Sequence, residues 1–196
     1  MHITYFGYGS LVNVDTLAKD ASPLPGRLQG WRREWRVCGR TPDGHGVCAL
    51  TVTRAPGEEI RGVAVSEPEA GLASLDAREH KYRQVHGVGE SFQPEQADAD
   101  VPGGLFLYQA KDDHYRWGSD SCPIFQSYLD CVLQGFFNFW GEDGLVHFFE
   151  STSGWHVPVL ADRDAPRYVR ARALDRELTA LIDALVKDWK LTLVEP

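Results

Sequence analysis

Residues 5–13 read Tyr5-Phe6-Gly7-Tyr8-Gly9-Ser10-Leu11-Val12-Asn13, and the rest of the chain is organised around them. Aromatic residues here run into two glycines and a serine, which predicts a short buried strand that ends in a tight loop with exposed backbone. Glycines let the main chain approach a ligand closely, and successive N–H groups in such a loop bind carboxylate or phosphate oxygens. The stretch therefore indicates either a site for a small acidic ligand or an ordinary turn after a strand.

Two sharper interpretations of this loop fail on spacing. A dinucleotide fingerprint that starts at Gly7 and Gly9 needs a third glycine-like residue at position 12, where the chain has Val12. A nucleophile elbow around Ser10 needs glycines at positions 8 and 12, which are Tyr8 and Val12. Ser10 is therefore interpreted as a ligand contact or a turn hydrogen bond, and not as a nucleophile.

The composition indicates one folded, acidic domain. Of the 196 residues 43% are hydrophobic, and 6 Trp, 7 Tyr and 9 Phe are enough for a substantial core. The net charge of −8 disfavours a nucleic-acid partner or an anionic membrane surface. Because no apolar run approaches the roughly 20 residues that span a bilayer, and residues 1–4 lack the pattern of a signal peptide, we expect a cytoplasmic protein without a membrane partner.

Cysteines and histidines give no pattern that is typical of a metal site. The cysteines include no C-x-x-C pair and no histidine at zinc-ligand spacing, and the seven histidines include no H-E-x-x-H motif. We therefore expect no metal and expect the thiols to be reduced and partly buried. The four cysteines are Cys38, Cys48, Cys122 and Cys131.

Turn residues and periodicity predict the elements that follow the loop. Asn13 or Asp15 would cap a short helix through Lys19, which ends at an irregular, proline-rich crossing at 22–26. Alternation of apolar and polar residues predicts a strand at 31–37, with its arginines on or beside a wet face. The next two β-rich runs, 47–53 and 60–65, flank a Pro-Gly turn and predict a hairpin.

The segment that follows places a carboxylate in an unusual position. Ser66-Glu67-Pro68-Glu69 has the S-x-x-E pattern of a capping box, which predicts a helix start. At 100° per residue Glu79 lies between two leucines, whereas Arg78 and Lys81 point elsewhere. A carboxylate on an apolar stripe is costly and should have a raised pKa, so Glu79 is a candidate general base or acid, or else is half-exposed or paired with Arg83. The shared face comprises Leu72, Leu75, Asp76, Glu79 and Arg83.

The remaining segments are predicted from composition and helical spacing. Residues 91–102 are polar and acidic, which indicates a surface loop before a strand at 104–108. Residues 111–121 form either the mouth of a binding site or an inert loop. A helix is expected from Cys122 to about Trp140, and an amphipathic helix in the tail, 166–189, would pack on the domain or on a second subunit as a homodimer.

Three segments together resemble the γ-glutamylcyclotransferase superfamily, which includes plant AIG2-like proteins and ChaC-type enzymes that degrade glutathione. The matching segments are the Phe6–Leu11 loop, Leu75-Asp76-Ala77-Arg78-Glu79, and the helical Tyr128–Gly135. They predict a γ-glutamylcyclotransferase-like domain over residues 1–150. Residues 151–196 would form a C-terminal helical extension packed on the same domain.

The resemblance implies a compact α+β fold, with a small mixed β-barrel-like sheet flanked by helices and a C-terminal helix. It also implies a reaction in which the free α-amine of a γ-glutamyl group attacks its own γ-carbonyl, releasing an amine, amino acid or peptide and 5-oxoproline. Glu79 would be catalytic and would move the proton, and no cofactor, metal or nucleotide is required. The substrate-binding residues would be Tyr8, Gly9, Ser10, Leu11 and, as a wall or hydrogen-bond donor, Tyr128.

The sequence does not decide which leaving group is released, or whether the site is catalytic. Asn13 stands where ChaC-type sequences often have an aromatic residue, and Tyr82 follows Glu79 sooner than in several relatives. Glutathione, γ-glutamyl amino acids and γ-glutamylamines all remain candidate substrates. The alternatives are a module that binds γ-glutamyl compounds without turnover, and an enzyme that removes a γ-glutamyl protecting group.

Overall fold

The computed structural model describes residues 1–101 and 103–196. These residues form a ten-stranded mixed sheet and three α-helices, which confirms the predicted α+β class. The strands are β1 (His2–Gly7), β2 (Ser22–Arg40), β3 (Gly46–Pro68), β4 (Tyr82–His86), β5 (Phe92–Pro94), β6 (Phe106–Ala110), β7 (Ile124–Phe125), β8 (Thr152–Ser153), β9 (Val159–Leu160) and β10 (Leu193–Val194). The helices are α1 (Leu72–Arg78), α2 (Gln126–Glu150) and α3 (Arg176–Asp188).

The two long strands β2 and β3 pair antiparallel along most of their length and form the centre of the sheet. Their register shifts between Gln29 and Trp31, so that residues 55–58 of β3 form a bulge. The predicted hairpin is therefore wrong. The runs 47–53 and 60–65 belong to one continuous strand because both pair with β2 and not with each other.

Strand β1 and helix α2 hold the loop that follows β1. The strand lies between β3, with which it pairs antiparallel, and β6, with which it pairs parallel. A Cβ atom on Gly135 of α2 would lie 2.6 Å from the backbone nitrogen of Asn13, so a glycine is needed there. The Asn13 side-chain amide donates to the Cys131 carbonyl at 2.8 Å and to Gln134 Oε1 at 2.9 Å. The loop is thereby fixed to α2.

The segment after the loop is less helical than predicted. The Asn13 side chain accepts a hydrogen bond from Asp15 N at 3.1 Å and is the cap, but the 3₁₀ turn covers only Val14–Thr16. Residues 22–26 are not an irregular crossing, since they begin β2. Proline fits there because Pro25 faces the edge of β2 opposite β3, where its carbonyl accepts from Glu95 N at 3.0 Å.

The sequence predicts that the arginines of the 31–37 strand lie on or beside a solvent-exposed face. This prediction is wrong for Arg33, which is fully buried. Its guanidinium carbon lies 4.8 Å from the ring centroid of Phe136 and 4.7 Å from that of Phe148. The guanidinium also donates to Thr152 Oγ1 at 3.0 Å and to the Arg61 carbonyl at 2.7 Å. Aromatic faces and acceptors therefore replace water around this cation, although burial lowers its pKa to about 9.

Helix α1 begins later than the capping-box pattern predicts. Ser66 lies inside β3, where it pairs with Thr4 of β1, so its side chain caps no helix. A 3₁₀ turn at Glu69–Gly71 leads into α1 instead. Sheet pairing on the β1 side therefore overrides the local helix-start signal.

Helix α2 also begins later than predicted, at Gln126 and not at Cys122. Ile124 and Phe125 are not helical because they form β7, which lies beside β3 and β9. The helical backbone breaks at Gly141, which has φ 59° and ψ −147°. This break lies next to Trp140, the predicted end of the helix.

Residues after position 150 join the same sheet. Strand β8 pairs parallel with β2, β9 pairs parallel with β7, and β10 pairs parallel with β9. Helix α3 begins at Arg176 and not at Pro166, capped by the Asp175 side chain, which accepts from Leu178 N at 2.8 Å. The predicted amphipathic face is confirmed, since Leu178, Ile182 and Val186 are buried.

Several smaller predictions can also be compared with the structure. All four cysteines are free and buried. The predicted loop at 91–102 contains β5, and its last residue, Pro102, lies outside the described residues. Within the described parts of the chain, no helix is both long and apolar enough to cross a membrane.

Candidate active site

The loop after β1 turns tightly and exposes its backbone to a cavity. Val12 N donates to the Gly9 carbonyl at 2.9 Å, and Asn13 N donates to the Ser10 carbonyl at 3.1 Å. A Cβ atom on Gly9 would lie 3.1 Å from Tyr128 Oη and 3.4 Å from Leu50 Cδ1. The close approach of the Tyr128 hydroxyl to the main chain therefore requires a small residue at position 9.

Glu79 lies at the end of α1 and is directed toward this loop by its neighbour. Its backbone N–H donates to the Leu75 carbonyl at 2.9 Å, which closes the last turn of the helix. Arg78 Nε lies 3.1 Å from Glu79 Oε1, while the same guanidinium donates to Ser10 Oγ at 3.0 Å and to the Thr16 carbonyl at 2.9 Å. Arg78 thus connects the carboxylate to the loop.

Two sequence predictions about these arginines are wrong. Arg78 does not point away from Glu79, because Glu79 has left the helix (φ −95°, ψ 27°) and the 100° spacing no longer separates the two side chains. Arg83 is not the partner of Glu79, because β4 begins at Tyr82 and carries Arg83 toward Gln109 and Asp112 instead.

The carboxylate of Glu79 is largely shielded from water, with 14% of its side chain exposed. Burial raises its pKa, as predicted, while the positive charges of Arg78 and Arg170 and the neighbouring His80 oppose that rise. A carboxyl group in this environment exchanges protons at a higher pH than an exposed glutamate does.

Three tyrosines around Glu79 are held in the neutral form. Burial is the largest cause of the raised pKa of Tyr8, Tyr82 and Tyr128, and the nearby Glu79 carboxylate adds to it. The Tyr8 hydroxyl donates to the Tyr108 carbonyl, and the Tyr82 hydroxyl donates to the Leu50 carbonyl at 2.8 Å. All three phenols therefore shape the cavity and do not act as bases, and those of Tyr8 and Tyr82 donate hydrogen bonds.

All six residues predicted from the sequence line one inner cavity of about 30 Å³. This volume holds one or two water-sized groups and therefore suits a carboxylate. The lining residues are Phe6, Tyr8, Gly9, Ser10, Leu11, Leu50, Glu79, Tyr82, Tyr108 and Tyr128.

A wider cleft of about 250 Å³ opens outward from the inner cavity and shares Ser10, Glu79, Tyr82 and Tyr128 with it. Its outer wall comes from residues 167–170 and 40–42. Residues 111–121, which the sequence offered as a binding mouth, do not line it. Sequence reasoning gave no site role to Arg78, Tyr168 or Arg170. Nothing in the local pattern of the tail marks Tyr168 or Arg170 as residues of this cleft.

A buried aspartate holds the outer wall in place. Asp162 is 1% exposed, and its carboxylate accepts from Ser127 N at 2.8 Å, Ser127 Oγ at 2.6 Å and Arg167 N at 2.8 Å. Tyr168 N in turn donates to Ser127 Oγ at 3.2 Å. The ring of Tyr168 then packs edge-on against Tyr128, with 5.0 Å between centroids. The C-terminal segment thereby reaches the cavity.

The functional groups at this site suit proton transfer and the binding of an acid. In the described ranges, which omit only position 102, no group of three or more His, Cys, Asp or Glu side chains could hold a metal ion. The arrangement offers one shielded carboxylate, a backbone loop for an anion, and neutral phenols. Such a site can bind a small acid and move a proton.

Comparisons with known proteins define the fold. No protein-family model matches the sequence, and no curated protein matches it. A solved structure of a γ-glutamyl cyclotransferase matches with a TM-score of 0.57 at 16% identity, covering 94% of this chain and 99% of that one. An uncharacterized protein from Homo sapiens matches with a TM-score of 0.52 at 16% identity, over 93% and 98% of the two chains. YkqA from Bacillus subtilis matches with a TM-score of 0.50 at 18% identity, over 78% of this chain and 56% of its own.

The chain therefore has the fold of the γ-glutamyl cyclotransferases. The resemblance predicted from the loop, the Leu75–Glu79 segment and the Tyr128–Gly135 helix is confirmed at the level of the fold. At 16% identity this likeness concerns the fold, and the activity has to be argued from the site.

Substituting alanine for Gly9 is expected to lower the free energy of unfolding by about 1 kcal/mol and to weaken ligand binding, because the new Cβ crowds Tyr128 Oη. Tyr128→Phe removes that oxygen and should recover part of the loss in the double variant. Urea unfolding of the two single variants and the double variant measures this coupling. Strictly additive effects would contradict the proposed contact.

Proposed function

We propose that the protein is a γ-glutamylcyclotransferase, which converts the γ-glutamyl group of a small substrate to 5-oxoproline and releases an amine, amino acid or peptide. The observation that carries this proposal is the convergence of Glu79 and the loop residues Gly9–Leu11 on one inner cavity. The fold shared with a γ-glutamyl cyclotransferase supports the same reaction class. The leaving group would extend into the wider cleft.

The loop binds the α-carboxylate of the glutamyl group in this proposal. Backbone N–H groups at Gly9, Ser10 and Leu11 would donate to its oxygens, as successive N–H groups in a tight turn do for anions. Tyr8 and Tyr128 would enclose the glutamyl chain from the sides. The bound substrate is then folded so that its α-amine faces its own γ-carbonyl, and this positioning supplies much of the acceleration.

Glu79 manages the protons of the reaction. Its carboxylate takes a proton from the α-ammonium, which leaves a neutral amine to attack the γ-carbonyl carbon. A C–N bond of the five-membered ring forms, the original amide C–N bond breaks, and Glu79 returns the proton to the departing nitrogen. The ring nitrogen loses a second proton as it becomes an amide N–H, and Glu79 passes that proton to the released amine, which leaves as an ammonium ion. Atoms and charge therefore balance without consuming water. A raised pKa suits Glu79 to both steps, since the group must accept and release a proton within one turnover.

Replacing Arg78 with glutamine is expected to move the acidic limb of the kcat/KM profile to higher pH. The base must be ionised, so the rate rises as pH passes through the pKa of Glu79, which burial has raised. Arg78 opposes that rise, and its removal therefore raises the pKa further. Rate measurements across pH 4–8 test this, with Arg78→Lys as the charge-preserving control. An acidic limb that stays in place or moves to lower pH would contradict the ion pair between Arg78 and Glu79.

The test of the proposed function is release of 5-oxoproline from a panel of γ-glutamyl amino acids, γ-glutamyl peptides and γ-glutamylamines. Chromatography with mass detection should find 5-oxoproline and the free amine in equal amounts. Binding of a panel member without any product would favour the second candidate, a module that binds γ-glutamyl compounds without turnover. The partly buried Glu79 speaks against that candidate, since a pure binder gains nothing from shielding a carboxylate from water.

A further inference from the structure

We infer that the outer cleft selects substrates whose leaving group carries a carboxylate, an amino acid or short peptide, and that Arg170 is the main contact for it. The inference rests on the proposed function, because that function fixes where the scissile bond lies. It goes further because it names the class of leaving group that this chain accepts. The chemistry that recognises this group is the pairing of guanidinium with carboxylate.

The cleft is positively charged although the protein is acidic. The chain has a net charge of −8, yet Glu79 is the one carboxylate among the described residues that line the cleft. The cations on its walls are Arg40, Arg78, Lys81, Arg167 and Arg170. A concentration of one charge in a low-dielectric cleft raises the local concentration of ligands of opposite charge.

Four of these cations have no carboxylate partner among the described residues, although Arg40 donates to the Gly44 carbonyl at 2.8 Å. Arg78 is already engaged with Glu79, Ser10 and the Thr16 carbonyl. None of the others forms an ion pair with a carboxylate from any described residue, 1–101 or 103–196. The four are Arg40, Lys81, Arg167 and Arg170.

Arg170 is the best placed of the four. It is partly buried, and its charge is close enough to oppose the rise in pKa that burial causes at both Glu79 and Tyr168. Tyr168, two residues before it, is fixed against Tyr128 and the start of α2 by its ring contact and its backbone hydrogen bond. The guanidinium is therefore carried on a segment that is anchored at the cavity.

The position of the departing nitrogen determines where a carboxylate on the leaving group would lie. That nitrogen must lie at Glu79, which returns its proton. In an amino acid the carboxylate carbon lies two bonds from the nitrogen, about 2.5 Å away, and so falls at the boundary between the inner cavity and the cleft. There it would enter the cleft that Arg170 lines, where Glu79 is the one carboxylate among the described lining residues. A simple amine leaves these cations without a partner, and a polyamine adds repulsion.

Binding to the Glu79→Gln variant tests this inference without turnover. Calorimetry with γ-glutamylglycine and γ-glutamylglycinamide compares two ligands that differ in the leaving-group carboxylate alone. We expect at least about 10-fold tighter binding of the acid, the effect of one charge-assisted hydrogen-bonded contact. Adding Arg170→Gln should weaken the binding of γ-glutamylglycine and leave the binding of γ-glutamylglycinamide unchanged. The ratio of their two dissociation constants should then approach one. Adding Arg176→Gln, an exposed arginine of α3 outside the cleft, should leave the ratio intact.

Other outcomes overturn the inference. They are equal affinity for the two ligands, a preference that survives Arg170→Gln, or no binding of either ligand. Turnover by the wild-type protein separates this failure from failure of the proposed function. Equal kcat/KM for the acid and the amide would refute the carboxylate contact and leave the cyclotransferase intact. A 10-fold binding preference without 5-oxoproline would support the carboxylate contact and refute the cyclotransferase.

Discussion

Replacing Glu79 with glutamine is expected to lower kcat/KM for 5-oxoproline release by about 10³-fold, within the range that a positioned general base contributes. Glutamine has nearly the same shape and can still accept a hydrogen bond from Arg78, so the cavity should persist. It cannot take a proton from the α-ammonium at neutral pH. The loss should therefore fall mainly on kcat, while substrate binding through the Gly9–Leu11 loop is retained.

The measurement is a steady-state assay of 5-oxoproline on wild type and variant, with circular dichroism and a thermal melt to establish that both are folded. Glu69→Gln is the matched control, because Glu69 is an exposed glutamate in the turn that leads into α1. The control should retain wild-type activity. Activity of Glu79→Gln within a factor of ten of wild type would exclude Glu79 as the base.

Replacing Asp162 with alanine is expected to destabilise the protein by about 3 kcal/mol and to raise KM. The change leaves the backbone N–H groups of Ser127 and Arg167 and the Ser127 hydroxyl without their shared acceptor. Each unsatisfied buried donor costs about 1–3 kcal/mol. Loss of the anchor also frees Tyr168 and Arg170 from the cleft wall, which explains the expected effect on KM.

Urea unfolding gives the stability change, and substrate kinetics on the folded fraction give KM. Asp164→Ala is the control, since Asp164 is an exposed aspartate two residues away, and it should change neither quantity appreciably. The effects of Asp162→Asn on stability and KM should lie between those of Asp162→Ala and Asp164→Ala, because the amide keeps one acceptor oxygen for the three donors. A destabilisation below about 1 kcal/mol for Asp162→Ala would contradict its role as the anchor of the outer wall.

The inner half of the site could be predicted because its signals are local. A run of aromatic residues into Gly7 and Gly9 marks a strand that ends in a backbone-exposing loop, and helical spacing marks Glu79 as a carboxylate on an apolar stripe. Both features lie within a few residues of the chemistry that they carry. Their meeting in one cavity follows from the pairing of β1 with β3, whose last residues lead into α1.

The outer half depends on contacts between distant segments that leave no local pattern. Asp162 binds Ser127 across 35 positions, and this contact, together with those of Tyr168 to Ser127 and Tyr128, holds Tyr168 and Arg170 at the cleft. Arg78 was missed for a different reason, because the helical spacing that separates it from Glu79 ends at that glutamate. The division into a domain over 1–150 and an extension over 151–196 stays a prediction.

Errors in the sheet have a single physical origin, the preference given to local turn and cap signals over long-range pairing. The Pro-Gly bulge at 55–58 looks like a hairpin turn, and Ser66 looks like a helix cap. The residues on either side of the bulge pair with β2, and Ser66 pairs with β1. Arg33 is buried for a comparable reason, because Phe136 and Phe148 of α2 cover it.

The most direct test of the central claim is turnover in water enriched in ¹⁸O. Intramolecular attack forms 5-oxoproline without consuming water, so the product should carry no solvent oxygen and should appear together with one equivalent of the free amine. Hydrolysis of the γ-amide would instead place an ¹⁸O atom in glutamate. Mass spectrometry separates the two. Unlabelled 5-oxoproline is the predicted result, and labelled glutamate as the first product would contradict the account.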